Sequence, residues 1–179
     1  MANIATDGKI DVRPVYNGEE KGIEFSFELP REDYGFDDIM FETPVKAEGK
    51  IVRRADGTEK TEGYTELVLT VVADISTECA RCLEPVREKL TYSKVYGLTS
   101  TKVSEDSEEY ISTEAGILDI AEVARTLFLL SIPMRFLCRE DCKGLCSSCG
   151  RNLNCSECSC DTKEIDPRLA VLGSLKFDE

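Results

Sequence analysis

Apolar and polar positions alternate along the first half of this chain. Ile23, Phe25, Phe27 and Leu29 fall on one parity, with Glu24, Ser26 and Glu28 on the other. A two-residue period marks a strand with one face turned to a core. Val45, Ala47 and Ile51 keep such a parity, interrupted by Gly49, and Asp56-Gly57 supplies a turn before the next alternation. There Leu67, Leu69, Val71, Ala73 and Ile75 share one face, while Glu66, Thr70 and Asp74 share the other. A further strand is predicted over residues 86–96. Successive strands joined by short turns predict an antiparallel sheet, curled or barrel-like.

The period then changes. Residues 99–114, TSTKVSEDSEEYISTE, are polar and acidic, a composition that predicts a solvated linker. Beyond them Asp119 is suited to cap a helix, with Glu122 at the capping-box position and Leu118 and Val123 placed for a hydrophobic staple. Ile120, Val123, Ala124, Leu127 and Leu130 form an apolar face, and Pro133 stops the pattern. One main helix over about residues 118–131 should pack on the sheet. A shorter one is expected after Asp166-Pro167, with Leu169, Leu172 and Leu175 along one side. The predicted class is α+β: a β body with its packing helix over residues 1–137, then a cysteine-rich lobe and short terminal helix over residues 138–179.

That lobe holds the unusual chemistry. The stretch CREDCKGLCSSCGRNLNCSECSC, residues 138–160, contains seven cysteines, and Cys79 and Cys82 stand far upstream. The start of the chain, MANIATDGKIDVRP, has no basic and apolar signal pattern, and no apolar run approaches the ~18 residues of a membrane span. Both features predict a cytoplasmic protein. In a reducing compartment clustered thiols serve metals more often than disulfides. There is no histidine anywhere, which removes imidazole general bases, Ser-His and Cys-His nucleophiles, and every zinc site with a nitrogen ligand.

Tetrahedral zinc takes four thiolates, usually delivered as two closely spaced pairs. Cys79-x2-Cys82 and Cys146-x2-Cys149 have that spacing, and Gly150 directly after Cys149 permits the positive φ such knuckles often adopt. A redox reading of Cys79-x2-Cys82 requires a motif opening a helix, whereas another strand follows here. Rubredoxin-like iron shares the sulfur geometry, so spacing alone leaves zinc as the default rather than the sole choice. Two groupings fit. One joins Cys146, Cys149, Cys158 and Cys160 locally and brings Cys79 and Cys82 to Cys138 and Cys142. The other makes a site of Cys138, Cys142, Cys146 and Cys149. Cys155-x2-Cys158 and Cys158-x-Cys160 compete for the last two places.

The runs CARCLEP, DIAEVARTLFLLSIP, CKGLCSSCGRNLN, the following CSC and the closing DPRLAVLGSL together resemble the YceD family of large-ribosomal-RNA-subunit accumulation proteins. The resemblance covers residues 20 to 176 and is strongest from 79 onward. It implies that the Cys-x-Cys after NLN is Cys158 and Cys160, leaving Cys155 as an extra thiol outside two four-cysteine zinc sites. It also implies a non-enzymatic factor supporting large-subunit rRNA accumulation. Its expected partners are a large-subunit precursor, a ribosomal protein or a processing factor.

Charge limits how such a protein meets RNA. The formal net charge is −13, and eight zinc-bound thiolates with two dications make it more negative still. Nonspecific RNA affinity needs Lys and Arg against phosphates, so the acidic surface favours a basic protein partner. A local rRNA contact would fall to Arg81, Lys143 and Arg151 with Asn152, beside Arg139 and Asn154 and against Glu140, Asp141 and Glu157. Two other functions are compatible with such a chain. A thiol redox sensor would use Cys155 as its trigger. An RNA-processing enzyme would need a rigid carboxylate pair for Mg²⁺, and the acidic residues lie in runs such as 104–109 instead.

Overall fold

The computed structural model of the chain describes residues 8–29, 39–54, 64–100, 109–113 and 115–160. The Asp56-Gly57 turn, residues 101–108 of the acidic run and the helix expected after Asp166-Pro167 lie outside the described residues. Two compact units are present: Met1–Thr77 with Arg87–Met134, and Glu78–Val86 with Arg135–Glu179.

The first unit is built on strands β1 (Lys9–Asp11), β2 (Gly22–Leu29), β3 (Met40–Phe41), β4 (Val45–Arg54), β5 (Tyr64–Glu78), β6 (Pro85–Thr99), β7 (Tyr110–Ser112) and β8 (Ile117–Asp119). Helices α1 (Arg13–Tyr16) and α2 (Ile120–Ser131) accompany them. The joining ends of β5 and β6 run into the second unit. The main sheet has the order β2-β4-β5-β6-β7, with β3 on β5, and β1 pairs with β8 in a separate two-stranded sheet. The α+β class holds. The curled or barrel-like closure does not: the order is linear, with β2 and β7 as its ends. Nor is the sheet wholly antiparallel, because β7 pairs parallel to β6, Leu98 opposite Ile111. The acidic run expected to be linker throughout therefore contributes a strand.

The alternation becomes register. Ile23 lies opposite Ile51, Phe25 opposite Gly49 and Leu29 opposite Val45. Ile51 in turn lies opposite Leu67, and Ala47 opposite Val71. All of these but Gly49 are buried, as are Leu69, Ala73 and Ile75. Gly49 interrupts the pattern because it has no room for a side chain: a Cβ would collide with the Val68 carbonyl and press on the Phe25 ring.

Helix α2 begins as its sequence predicts, with the Asp119 carboxylate accepting from the Glu122 N–H at 3.0 Å. Its core face is rotated from the expected one. Ile120, Ala124, Leu127 and Phe128 are buried, whereas Leu130 is 83% exposed. Phe128 draws the face to its side, its ring centroid 5.9 Å from that of Phe41 and 6.1 Å from that of Tyr92. No helix among the described residues is long and apolar enough to cross a membrane.

Candidate metal centres

The second unit is organised by one turn used twice. Between β5 and β6 the Cys79 N–H donates to the Glu84 carbonyl at 2.8 Å, and the Leu83 N–H to the Cys79 carbonyl at 2.9 Å. At Cys146 the pattern repeats: its N–H donates to the Arg151 carbonyl at 2.8 Å, and the Gly150 N–H to the Cys146 carbonyl at 2.8 Å. In both copies the residue after the second cysteine is left-handed, with φ of 61° at Leu83 and 71° at Gly150. The curl aims backbone donors at the first sulfur. Cys79 Sγ accepts from the Arg81 and Cys82 N–H groups, and Cys146 Sγ from those of Cys149 and Ser148. The glycine was expected to behave this way. At Leu83 nothing in the residue type suggests a positive φ.

The sulfurs converge in two sets. Those of Cys79, Cys82, Cys138 and Cys142 all lie within 4.8 Å of one another, and so do those of Cys146, Cys149, Cys158 and Cys160. Cys79 and Cys142 stand 3.8 Å apart, Cys82 and Cys138 3.5 Å. Four sulfurs at about 2.3 Å from one tetrahedral ion are about 3.8 Å from each other. A disulfide would need about 2.05 Å, and all these cysteines are free thiols. The donor set fits zinc: four sulfurs, tetrahedral spacing, and backbone N–H groups ready to share thiolate charge. Of the two groupings open in the sequence, this is the one that joins the upstream pair to Cys138 and Cys142. Cys155 is exposed and belongs to neither set.

Acidity differs within each set for identifiable reasons. The Cys138 N–H, with those of Arg81 and Cys82, brings the Cys79 thiol down to about 6 despite its burial. Cys146 is likewise brought to about 6 by the Cys149 and Ser148 N–H groups. Burial, then the neighbouring sulfurs of its set, pushes Cys138 up to about 12. Contact with Cys149, then burial, does the same to Cys160. Without a cation, sulfurs held this close cannot all ionise, so each set separates into acidic and reluctant members. A dication removes that conflict.

Residues 143–154 close a small hairpin over the second knuckle. Beyond the Cys146–Arg151 bond, Leu145 bridges Asn152. The Leu153 N–H donates to the Gly144 carbonyl at 2.9 Å. The Lys143 N–H donates to Asn154 Oδ1 at 2.8 Å. This register sets Asn154 beside Cys142, and its Nδ2 donates to Cys142 Sγ at 3.3 Å. Asn152 Oδ1 accepts from both the backbone N–H and Nδ2 of Asn154, at 3.0 and 2.9 Å, while its own Nδ2 donates to Glu84 Oε1 at 3.2 Å. The cations named from the sequence sit around these loops. Arg81 Nη1 donates to the Cys142 carbonyl at 2.8 Å, Arg151 Nη1 to the Glu157 carbonyl at 3.2 Å, and Arg139 pairs with Asp141 at 3.5 Å.

A family model described as "Large ribosomal RNA subunit accumulation protein YceD" matches residues 67–176, a span that encloses both cysteine sets. The chain belongs to the YceD family. It is 35% identical over 120 residues to an uncharacterized protein of Mycobacterium tuberculosis, covering 63% of this chain and 58% of that one. Two other relatives, of Arabidopsis thaliana and Zea mays, bear the name "Large ribosomal RNA subunit accumulation protein YCED homolog 1, chloroplastic". They are 26% identical over 164 residues and 25% over 166, covering 75% of this chain and 49% and 54% of theirs. The chain thus spans about half to three-fifths of the curated relatives it matches. No solved structure matches it.

Proposed function

We propose that this protein is a non-catalytic factor supporting the accumulation of large-subunit ribosomal RNA, with two structural zinc ions holding its cysteine-rich unit together. The observation that carries the reading is the closure of both cysteine sets. Four sulfurs fill a tetrahedral ion and leave no position for water or substrate. Zinc so bound is a cross-link. It suits a segment with few buried apolar side chains, where the described core is Cys79, Cys82 and Cys142 packed by Val86, Leu137 and Leu145. Apparent binding energies of about 10–16 kcal/mol for such sites in small peptides are comparable with the stability of a whole domain.

The ions are assigned as zinc, held by Cys79, Cys82, Cys138 and Cys142 in one site and by Cys146, Cys149, Cys158 and Cys160 in the other. The partner inferred is a basic ribosomal protein or a precursor particle presenting one, met by a chain of net charge −13. The involvement of Arg81, Arg139 and Arg151 in local bonds supports recognition through protein over a broad RNA interface.

Depletion of the protein from its own cells tests this. The ratio of large- to small-subunit rRNA should fall and recover with the wild-type chain, but not with Cys82→Ser. An unchanged ratio on depletion would sink the reading. Capture of the tagged protein in moderate salt should recover large-subunit precursors or ribosomal proteins.

A further inference from the structure

We infer that Asn154 couples the two cysteine sites, so that a metal ion at Cys146, Cys149, Cys158 and Cys160 strengthens binding at Cys79, Cys82, Cys138 and Cys142. This rests on the reading that both sets hold zinc. Asn154 belongs to neither ligand set, yet its amide donates to a sulfur of the first, Cys142 Sγ, at 3.3 Å. It lies between Cys149 and Cys158, ligands of the second. An ion there grips the hairpin at its knuckle, through Cys146 and Cys149, and again beyond its end, through Cys158 and Cys160. Both ends of the segment carrying Asn154 are then fixed.

The register within that hairpin is determined by main-chain bonds, Cys146 with Arg151 and Gly144 with Leu153. Its last step sets Asn154 against Lys143, next to Cys142. The side-chain orientation is determined too. Oδ1 accepts from the Lys143 N–H, which turns Nδ2 toward the sulfur, while Asn152 Oδ1 accepts a second bond from the same Nδ2. Asn152 is itself anchored to Glu84, just after the first knuckle. The bridge therefore starts in the segment that the second ion fixes and ends on a ligand of the first.

A donor to a coordinating sulfur favours the thiolate and spreads its charge. Partners of this kind are commonly worth about 10–100-fold in metal affinity. If the second ion orders the donor, occupancy of one site must favour the other by the same factor in both directions.

The test uses the full-length reduced chain, stripped of metal and titrated with Zn²⁺ against a chromophoric chelator. Asn154→Ala should weaken the first site about tenfold or more. Cys158→Ser with Cys160→Ser, which removes the second site, should weaken the first to a similar extent. Combining these changes should cost no more than the larger of them, because each removes the same bridge. In a Cys82→Ser background, which lacks the first site, Asn154→Ala should leave the second within about twofold. With Co²⁺ in place of Zn²⁺, the sulfur-to-metal absorption of the first site should shift in Asn154→Ala.

The coupling is overturned if Asn154→Ala leaves the first site within twofold of wild type, or if the losses multiply. It is also overturned if the second site weakens in the Cys82→Ser background, which would make Asn154 a folding residue of the hairpin. A wild-type chain binding fewer than two ions defeats the zinc reading itself. Two ions with no effect of Asn154 defeat only the coupling.

Discussion

Leu83 and Gly150 hold equivalent places in two copies of one turn, each accepting a left-handed backbone, 61° and 71° in φ, directly after a second cysteine. The cost differs. A left-handed backbone disfavours L-residues by roughly 1–2 kcal/mol, and glycine is exempt. Gly150 has no neighbouring atom within 4 Å of where a Cβ would stand, so conformation alone accounts for glycine there. Leu83 bears the strain while 58% exposed, so burial does not compensate it.

Substitutions should expose that asymmetry. Gly150→Ala should lower the stability of the zinc-loaded chain by about 1 kcal/mol, read as a shift in denaturant midpoint. Leu83→Gly should be neutral to stabilising, by at most about 1.5 kcal/mol, since relief of about 1–2 kcal/mol of strain is partly offset by the added unfolded-state freedom of glycine, about 0.5–1 kcal/mol. Destabilisation by both substitutions would contradict the equivalence of the turns.

The ligand assignment makes a counting prediction. Native mass spectrometry of the wild-type chain should show two zinc ions, Cys138→Ser and Cys149→Ser one each, and Cys155→Ser two. A loss of zinc in Cys155→Ser would place that thiol in a site, against its position outside both sets. The same variant tests the redox alternative, since zinc release by mild peroxide should be unaltered in it.

What could be read in the sequence follows from range. The parity of Ile23, Phe25, Leu67 and Leu69 is a local property and became burial directly. The Asp119 cap is equally local. By contrast β1, β7 and β8 are three residues each, too short for any period, and exist through distant pairing such as Ile10 with Leu118. Whether the sheet closes depends on edge partners that no strand encodes alone. Spacing admitted two cysteine groupings. In the fold the sulfurs of Cys146 and Cys149 converge with those of Cys158 and Cys160, and those of Cys138 and Cys142 with the upstream pair. Asn154 carried no mark as a donor to sulfur until its register with Lys143 was known.

Gly49 predicts a large effect away from the metal. Gly49→Ala would drive a methyl into the Val68 carbonyl and the Phe25 ring, at the point where β2, β4 and β5 lie side by side. Overpacking of this kind typically costs about 1–3 kcal/mol. Thermal unfolding of the variant should fall accordingly, with zinc content unchanged at two.

Acidification should release the metal, and the thiol acidities give the sign. Every coordinating sulfur must be ionised, so protons compete with zinc and affinity falls as pH falls. Near pH 8, Cys79 and Cys146, each brought to about 6, are already thiolates, whereas Cys138 and Cys160, each pushed to about 12, must lose a proton on binding. Fewer than four protons per ion should therefore leave at pH 8. Below pH 6 Cys79 and Cys146 carry protons too and must also release them, so the plot of log affinity against pH should steepen. The metal-free fold obeys the same logic. Cys79, lowered from 9.0 to about 6, contributes stability that is full above pH 9 and lost as pH falls through 6. Cys138, raised from 9.0 to about 12, contributes stability that is full below pH 9 and lost as pH rises through 12. Zinc titrations against a chelator between pH 5.5 and 8 would measure the slope, and an affinity independent of pH would rule out coordination by these thiolates.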